Sequence, residues 1–319
     1  MKEIGDIYIH PNCGECKVID IQNNQYLIEF ENTLNRIWCS KDRAVRHHFY
    51  DNTIINDLRI GDVYETVNFG KVIIINQIKN KYTVKFEKSG FITTASRQQI
   101  IFGQIFDKLQ PSFAGVGILG VGKWNHSDNI YYNKWISIIR RCYVKSNNRY
   151  KNYGALGITV CDEFKNYQNF CNWVETNFSL YKNFELSELE IDKDILANTN
   201  KTEYKEYSPK TCLLIPSEIN CFLAGDKLGT GVYNRENKVI FIDIKYKGER
   251  IIESFDYSIE GFIEAKIRYA TLKYTLWIDL LNKFDIPIYI KDILKNYDFS
   301  FNWKFKNLKE ENLDEILSK

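Results

Sequence analysis

No histidine follows His126 in this chain of 319 residues, which also has only five prolines and one methionine. An imidazole general base is therefore excluded from everything C-terminal to that point. The longest apolar run falls far short of the ~20 residues that a bilayer-spanning helix needs, and the start Met-Lys-Glu-Ile-Gly-Asp lacks the apolar stretch of a secretory signal. Both absences point to a cytoplasmic protein. The eight cysteines (Cys13, Cys16, Cys39, Cys142, Cys161, Cys171, Cys212 and Cys221) accordingly read as reduced thiols and not as a disulfide framework. Formal charge is only +2, so affinity for nucleic acid has to come from local clusters. One stretch does lack charge of one sign: residues 131–160 contain neither Asp nor Glu.

What is present begins with a repeat. Shifting the N-terminal segment by 56 residues lays Gly5-Asp6-Ile7-Tyr8 on Gly61-Asp62-Val63-Tyr64 and the run from Tyr26 to Glu31 on that from Tyr82 to Glu87, without a gap. Alternating β-type runs separated by Asn-rich turns predict a small Tudor-like barrel or meander of about five short strands in each copy, over residues 1–56 and 57–113. The first copy holds a tempting zinc set, Cys13, Cys16, Cys39 and His47 or His48. The sister positions are Phe69, Val72, Ala95, and Gly103 or Gln104, which bind no metal. The cysteines are therefore expected to be small buried hydrophobes, with zinc disfavoured.

The glycines between Gly115 and Gly122 invite a phosphate-loop reading, but no Lys-Ser/Thr follows, and a flexible connector is expected. In the acid-free stretch beyond it, Lys134, Arg140, Arg141, Lys145, Arg149 and Lys151 are interleaved with Tyr131, Tyr132, Trp135, Tyr143, Tyr150 and Tyr153. On a helix, Trp135, Ile138, Ile139 and Cys142 form an apolar stripe, leaving Lys134, Arg141 and Lys145 on another side. The pattern fits phosphate contacts; a solvated amphipathic helix is the plainer alternative.

Four motifs carry a family resemblance: residues 132–143 with Trp135 and Arg140-Arg141-Cys142, residues 153–164, Ile191-Asp192-Lys193-Asp194, and residues 207–220 ending in Asn220. Together they resemble the HNH endonuclease-like proteins of bacteriophages and mobile elements, which implies a ββα-metal domain over 114–226. By that resemblance Asp192 takes the metal-ligand position, Lys193 the general-base position, Thr211 the orienting position and Asn220 that of a ligand on the helix. Lysine, with a reference pKa of ~10.4, is a poor base at neutral pH. Asp194, two residues along a strand from Asp192, would share its face and could help activate water. Oxygen ligands of this kind suit Mg²⁺ or Mn²⁺. The alternative is a surface turn or ion-pair patch kept after catalysis was lost. Cys142, Cys161 and Cys212 are expected to be packing residues.

Residues 227–284 give three short β runs followed by a helix from about Ser258, an order that resembles the APETALA-two (ethylene-response-factor) DNA-binding domain. Ser258 is the expected cap, and Ile259, Phe262, Ile263, Ala270, Trp277, Leu280 and Leu281 the expected buried face. Ile240, Ile242, Ile244 and Tyr246 would meet that helix. The resemblance then implies that Arg235, Lys245, Lys247 and Arg250 face DNA, with Asp243 an acidic intruder among them. Residues 285–319 read as a polar helical tail. The expectation is an α+β, multidomain, phage-type protein that binds double-stranded DNA, with an HNH-like centre acting as a metal-dependent endonuclease of the free-standing homing kind. Its rival is a catalytically silent DNA-binding regulator, or a phage protein that engages a host defence protein in the host cytoplasm.

Overall fold

The structure, a computed structural model, describes residues 2–46, 49–51, 53, 58–126, 130–224, 232–235, 239–246 and 249–300. The chain is α+β and divides into two compact units, Met1–Ser112 with Ile118–Val121, and Phe113–Gly117 with Gly122–Lys319. No helix among the described residues is long and apolar enough to cross a membrane.

The first unit contains two antiparallel four-stranded meanders. β1 (Ile7–His10), β2 (Gly14–Gln22), β3 (Gln25–Phe30) and β4 (Arg36–Ser40) are followed by the one-turn helix α1 (Lys41–Val45). β5 (Val63–Thr66), β6 (Gly70–Ile78), β7 (Lys81–Phe86), β8 (Ile92–Ser96) and α2 (Arg97–Ile101) repeat them. Every boundary of the second copy lies 56 residues after its counterpart in the first, and even the bulge at Val18/Asp20 recurs at Ile74/Asn76. Among the described residues each copy shows four strands and a helical turn where about five strands were expected. The signal was in the sequence, because Ser40 and Ser96 cap the turns and Ser96 forms a reciprocal capping box with Gln99.

The two cores are built from the same positions with different side chains. Cys13, Cys16 and Cys39 are buried where the sister module buries Phe69, Val72 and Ala95. Burial pushes all three thiols up, Cys16 to about 12, as befits packing residues with no stabilised thiolate. His47 and His48 lie outside the described residues. In each copy a fully buried aspartate, Asp51 or Asp107, accepts from the hydroxyl of Thr33 or Ser89. The copies are joined by Asn12, whose carboxamide donates to the carbonyls of Glu65, Ile100 and Ile101 (3.1, 3.1 and 2.9 Å) and accepts the Glu65 N–H (2.8 Å).

The expected flexible connector is partly built into both units. Gly117 pairs with Phe113 and lies so close to Trp135 that a Cβ there would sit 3.0 Å from its ring, while the Gly120 N–H donates to the Lys108 carbonyl at 2.8 Å. Close backbone approach, and not looseness, accounts for the glycine at 117.

In the second unit α3 (Ile130–Tyr143) leads through two 3-10 turns to β9 (Thr159–Val160), α4 (Asp162–Lys165) and α5 (Tyr167–Phe178). β10 (Leu189–Asp192) and α6 (Asp194–Thr199) follow, then β11 (Glu206–Tyr207), β12 (Leu213–Pro216) and α7 (Ser217–Ala224). β10 pairs antiparallel with β12, so that α7 directly continues a two-stranded ribbon, and β11 pairs parallel with β9. β13 (Val232–Arg235), β14 (Val239–Tyr246) and β15 (Glu249–Phe255) form an antiparallel sheet in that order. α8 (Ile259–Lys283), capped by the Ser258 hydroxyl, lays Phe262, Ala265 and Tyr269 on Ile240, Ile242 and Ile244.

The expected boundary at 226/227 falls outside the described residues, yet α8 ties both sides of it together. Its buried Lys273 donates to the Phe222 carbonyl (3.2 Å) over that residue's ring, and Lys283 pairs with Glu218 of α7. The start of the expected tail is likewise fastened down. α9 (Ile288–Lys295) receives the Trp277 indole N–H at Leu294 (2.8 Å), and Asn198 of α6 exchanges two 2.7 Å bonds with the Asp298 backbone. Residues 301–319 lie outside the described residues.

Candidate functional site

The ribbon and helix formed by β10, β12 and α7 carry the residues singled out for chemistry. Asp192 ends β10 opposite Leu213, and its buried carboxylate turns back over the next turn of chain. Its Oδ1 accepts the N–H groups of Asp194 and Ile195, both at 2.8 Å, and so satisfies donors that open α6. The strand stops there. Asp194 is therefore the first residue of a helix, and the expected shared strand face of Asp192 and Asp194 does not form. A carboxylate at that position is favoured by the helix dipole.

Lys193 is buried, and its ammonium donates to Asp194 Oδ1. Thr211 does not orient it. The Thr211 hydroxyl donates to the Glu206 carbonyl (2.6 Å), accepts the Ser208 N–H (3.0 Å) and meets the Ser208 hydroxyl (2.9 Å), closing the loop before β12. Asn220 is half-buried on α7. Cys142 and Cys212 both feel the Lys193 charge, but burial dominates and pushes them up to about 11 and about 12. Cys161 caps α4, accepting the Phe164 N–H.

Mg²⁺ or Mn²⁺ fits this donor set poorly. One oxygen of Asp192 is already shared by two amides, and a buried ammonium stands on the adjacent residue, where it would repel a second cation. Among the described residues no three His, Cys, Asp or Glu side chains gather to hold a metal ion.

The six basic residues of the acid-free stretch divide into two classes. Lys134 turns inward from α3 to donate to the Leu189 carbonyl, 3.9 Å from Glu190, and burial lowers its pKa. Arg141 also points inward. Its guanidinium lies 5.1 and 5.4 Å from the ring centroids of Tyr153 and Tyr207 and donates to the Tyr207 hydroxyl at 3.3 Å. Burial drives the Tyr207 phenol far above its ordinary pKa, and nearby Arg141 counters only part of that. Arg140, Lys145, Arg149 and Lys151 remain exposed, one on the helix and three on the turns after it. Those turns lie against α3 because Gly154 has no side chain, a Cβ there reaching 2.1 Å from the Cys142 carbonyl.

On the C-terminal sheet, Arg250 is engaged with Asp243 by a two-pronged pairing, Nε to Oδ1 at 2.8 Å and Nη2 to Oδ2 at 2.5 Å. Arg268 on α8 is similarly held by Glu253. Only the backbone of Arg235 and Lys245 is described, and Lys247 lies outside the described residues. Sequence reasoning missed three contributors: Tyr153 and Tyr207, whose stacked rings lie beside Arg141, and the Asp243–Arg250 pair. The last was foreshadowed, since antiparallel pairing sets Asp243 diagonal to Arg250. Comparison with protein-family models, with curated proteins and with solved structures finds no match for this chain.

Proposed function

We propose that this chain is a DNA-binding protein whose HNH-like centre is a binding scaffold without hydrolytic activity. One observation carries the reading: Asp192 and Lys193 are consumed by the fold, while Arg140, Lys145, Arg149 and Lys151 project from an acid-free stretch of the same domain. Hydrolysis of a phosphodiester needs an activated water and a stabilised leaving oxygen. A lysine held in an ion pair supplies no base, and an aspartate that caps a helix is a weakened metal ligand. Four exposed cations on one helix end and its following turns can instead neutralise phosphates of a duplex, an interaction driven by counterion release.

The ribbon-plus-helix order of β10, β12 and α7 supports kinship with ββα-metal domains, and the sheet of β13, β14 and β15 backed by α8 supports an APETALA-two-like module. We read the duplicated N-terminal meanders as Tudor-like. Binding of a 30-base-pair duplex by fluorescence anisotropy over a salt series tests the proposal. Replacing Arg140, Lys145, Arg149 and Lys151 with Ala should weaken binding to every sequence and flatten the salt dependence by about 0.9 for each phosphate no longer neutralised. Salt-insensitive binding by the intact chain would overturn it.

A further inference from the structure

Arg141 sits in the middle of the basic stretch and is half-buried. It is fixed by the ring of Tyr153 on the turn after α3, by the ring and hydroxyl of Tyr207 on β11, and, on its own helix, by the carbonyl and hydroxyl of Ser137 at 3.3 and 3.4 Å. Tyr153 lies between the two 3-10 turns, Tyr150–Asn152 and Gly154–Leu156, that follow Arg149 and include Lys151. Tyr207 belongs to the parallel pair of β11 and β9 and feels the charge of Asp194, the partner of Lys193. A chain of interactions therefore runs from the ion pair at the centre, through Tyr207 and Arg141, to the basic turn. The two rings stack on each other at 6.4 Å, and the planar guanidinium with its five N–H donors lies beside both while bonding a phenol. Lysine cannot do both. The segment 145–152 is otherwise held by hydrogen bonds between successive turn residues and by the packing of its turns on α3 at Gly154.

We propose that Arg141 is a positioning residue, which acts through Tyr153 and Tyr207 to hold the basic turn in its binding geometry and makes no phosphate contact itself. The proposal rests on the DNA-binding reading above and separates two roles that look alike in sequence. A phosphate-contacting arginine gives up about 0.9 of salt slope when removed and is largely replaced by lysine. A positioning arginine lowers affinity at every salt concentration with the slope unchanged, because the four exposed cations still reach the backbone from a looser turn. Lysine then restores little, and an uncharged substitution of its aromatic partner reproduces the loss.

The experiment measures duplex affinity over a salt series for the full-length chain and for Arg141→Ala, Arg141→Lys, Tyr153→Leu and the double variant Arg141→Ala with Tyr153→Leu. Expected are losses of about tenfold for each single variant, parallel salt lines, and no further loss in the double variant, the mark of residues acting as one unit. A flattened slope rescued by lysine, or full affinity in Tyr153→Leu, would overturn the proposal. Tyr153 is half-buried on a turn, so Tyr153→Leu keeps the test decisive if Arg141→Ala fails to fold. Trypsin cleavage after Arg149 and Lys151 without DNA provides a separate readout. It should quicken in Arg141→Lys and Tyr153→Leu, and unchanged protection would count against positioning. If wild type binds no duplex yet the variants are cleaved faster, the DNA reading falls and the positioning role stands.

Discussion

Between residues 131 and 160, Arg140, Lys145, Arg149 and Lys151 stand exposed in a stretch that contains no acid. On the C-terminal sheet and its helix, Arg250 is engaged by Asp243 and Arg268 by Glu253, each through a pair of nitrogen–oxygen bonds. The two regions looked comparable when basic residues were counted along the chain. Arg250 and Arg268 differ from the four exposed cations in what is available to a partner. An exposed cation with no local acid brings its full charge to a phosphate, whereas one already paired must exchange one partner for another and gains less. The turn between β10 and α6 adds a third case, Lys193, which is buried and engaged by Asp194.

The largest expected difference follows from this contrast. The fourfold Ala variant at 140, 145, 149 and 151 should lose duplex affinity on the order of a hundredfold at moderate salt. Arg250→Ala should change it only a few-fold, and the two measured by the same anisotropy titration would sharpen or break the comparison. Equal losses would show that pairing does not discount a basic residue here.

Next in size is the effect of Asp192→Ala. Because this carboxylate caps α6, its removal should destabilise the second unit by about 1–2 kcal/mol, seen as a lowered midpoint in chemical denaturation, and should leave duplex affinity nearly unchanged. Unaltered stability with lost metal-dependent nicking would return Asp192 to the role of ligand.

A smaller change should come from Asp243→Asn, which leaves Arg250 in place while removing its partner. A few-fold gain in duplex affinity, with a salt line slightly steeper than wild type, is expected; a loss would show that the pair itself is read by DNA.

The smallest effect on binding, none, is expected from the first unit, where Asp51 offers an acid-stability test. Burial pushes its carboxyl up, but hydrogen bonds from Thr33, Thr53 and Asn35 prevail and hold it below the ordinary 3.8. A lowered folded-state pKa gives stability that is present above the unfolded value and lost as pH falls through the folded one. Wild type should therefore lose first-unit stability below about pH 4. Asp51→Asn should be weaker at neutral pH with a shallower acid limb in pH-dependent thermal melts.

Much of the architecture was legible because it is periodic. The 56-residue shift, the alternation of Ile240, Ile242 and Ile244, and the cap at Ser258 depend on local spacing and geometry, which sequence records directly. What was not legible depends on where side chains end. Lys134 and Arg141 share a helix with Arg140, yet only tertiary packing with Leu189, Tyr153 and Tyr207 decides that two turn inward. Asp192 and Asp194 suggested a strand face, but a carboxylate two residues before a helix can cap it, and that local bond ended the strand. The glycines after Gly115 suggested looseness where one of them, Gly117, serves close packing against Trp135.

On our proposal, this chain holds DNA and does not cut it. The most direct measurement incubates supercoiled plasmid with enough protein to retard all of it on a native gel, in Mg²⁺ and in Mn²⁺, and then runs the same samples again after the protein is stripped away. Complete retardation is expected on the first gel and unnicked, fully supercoiled plasmid on the second. Open-circular or linear plasmid that disappears with EDTA would contradict the silent centre, and unretarded plasmid would contradict the binding.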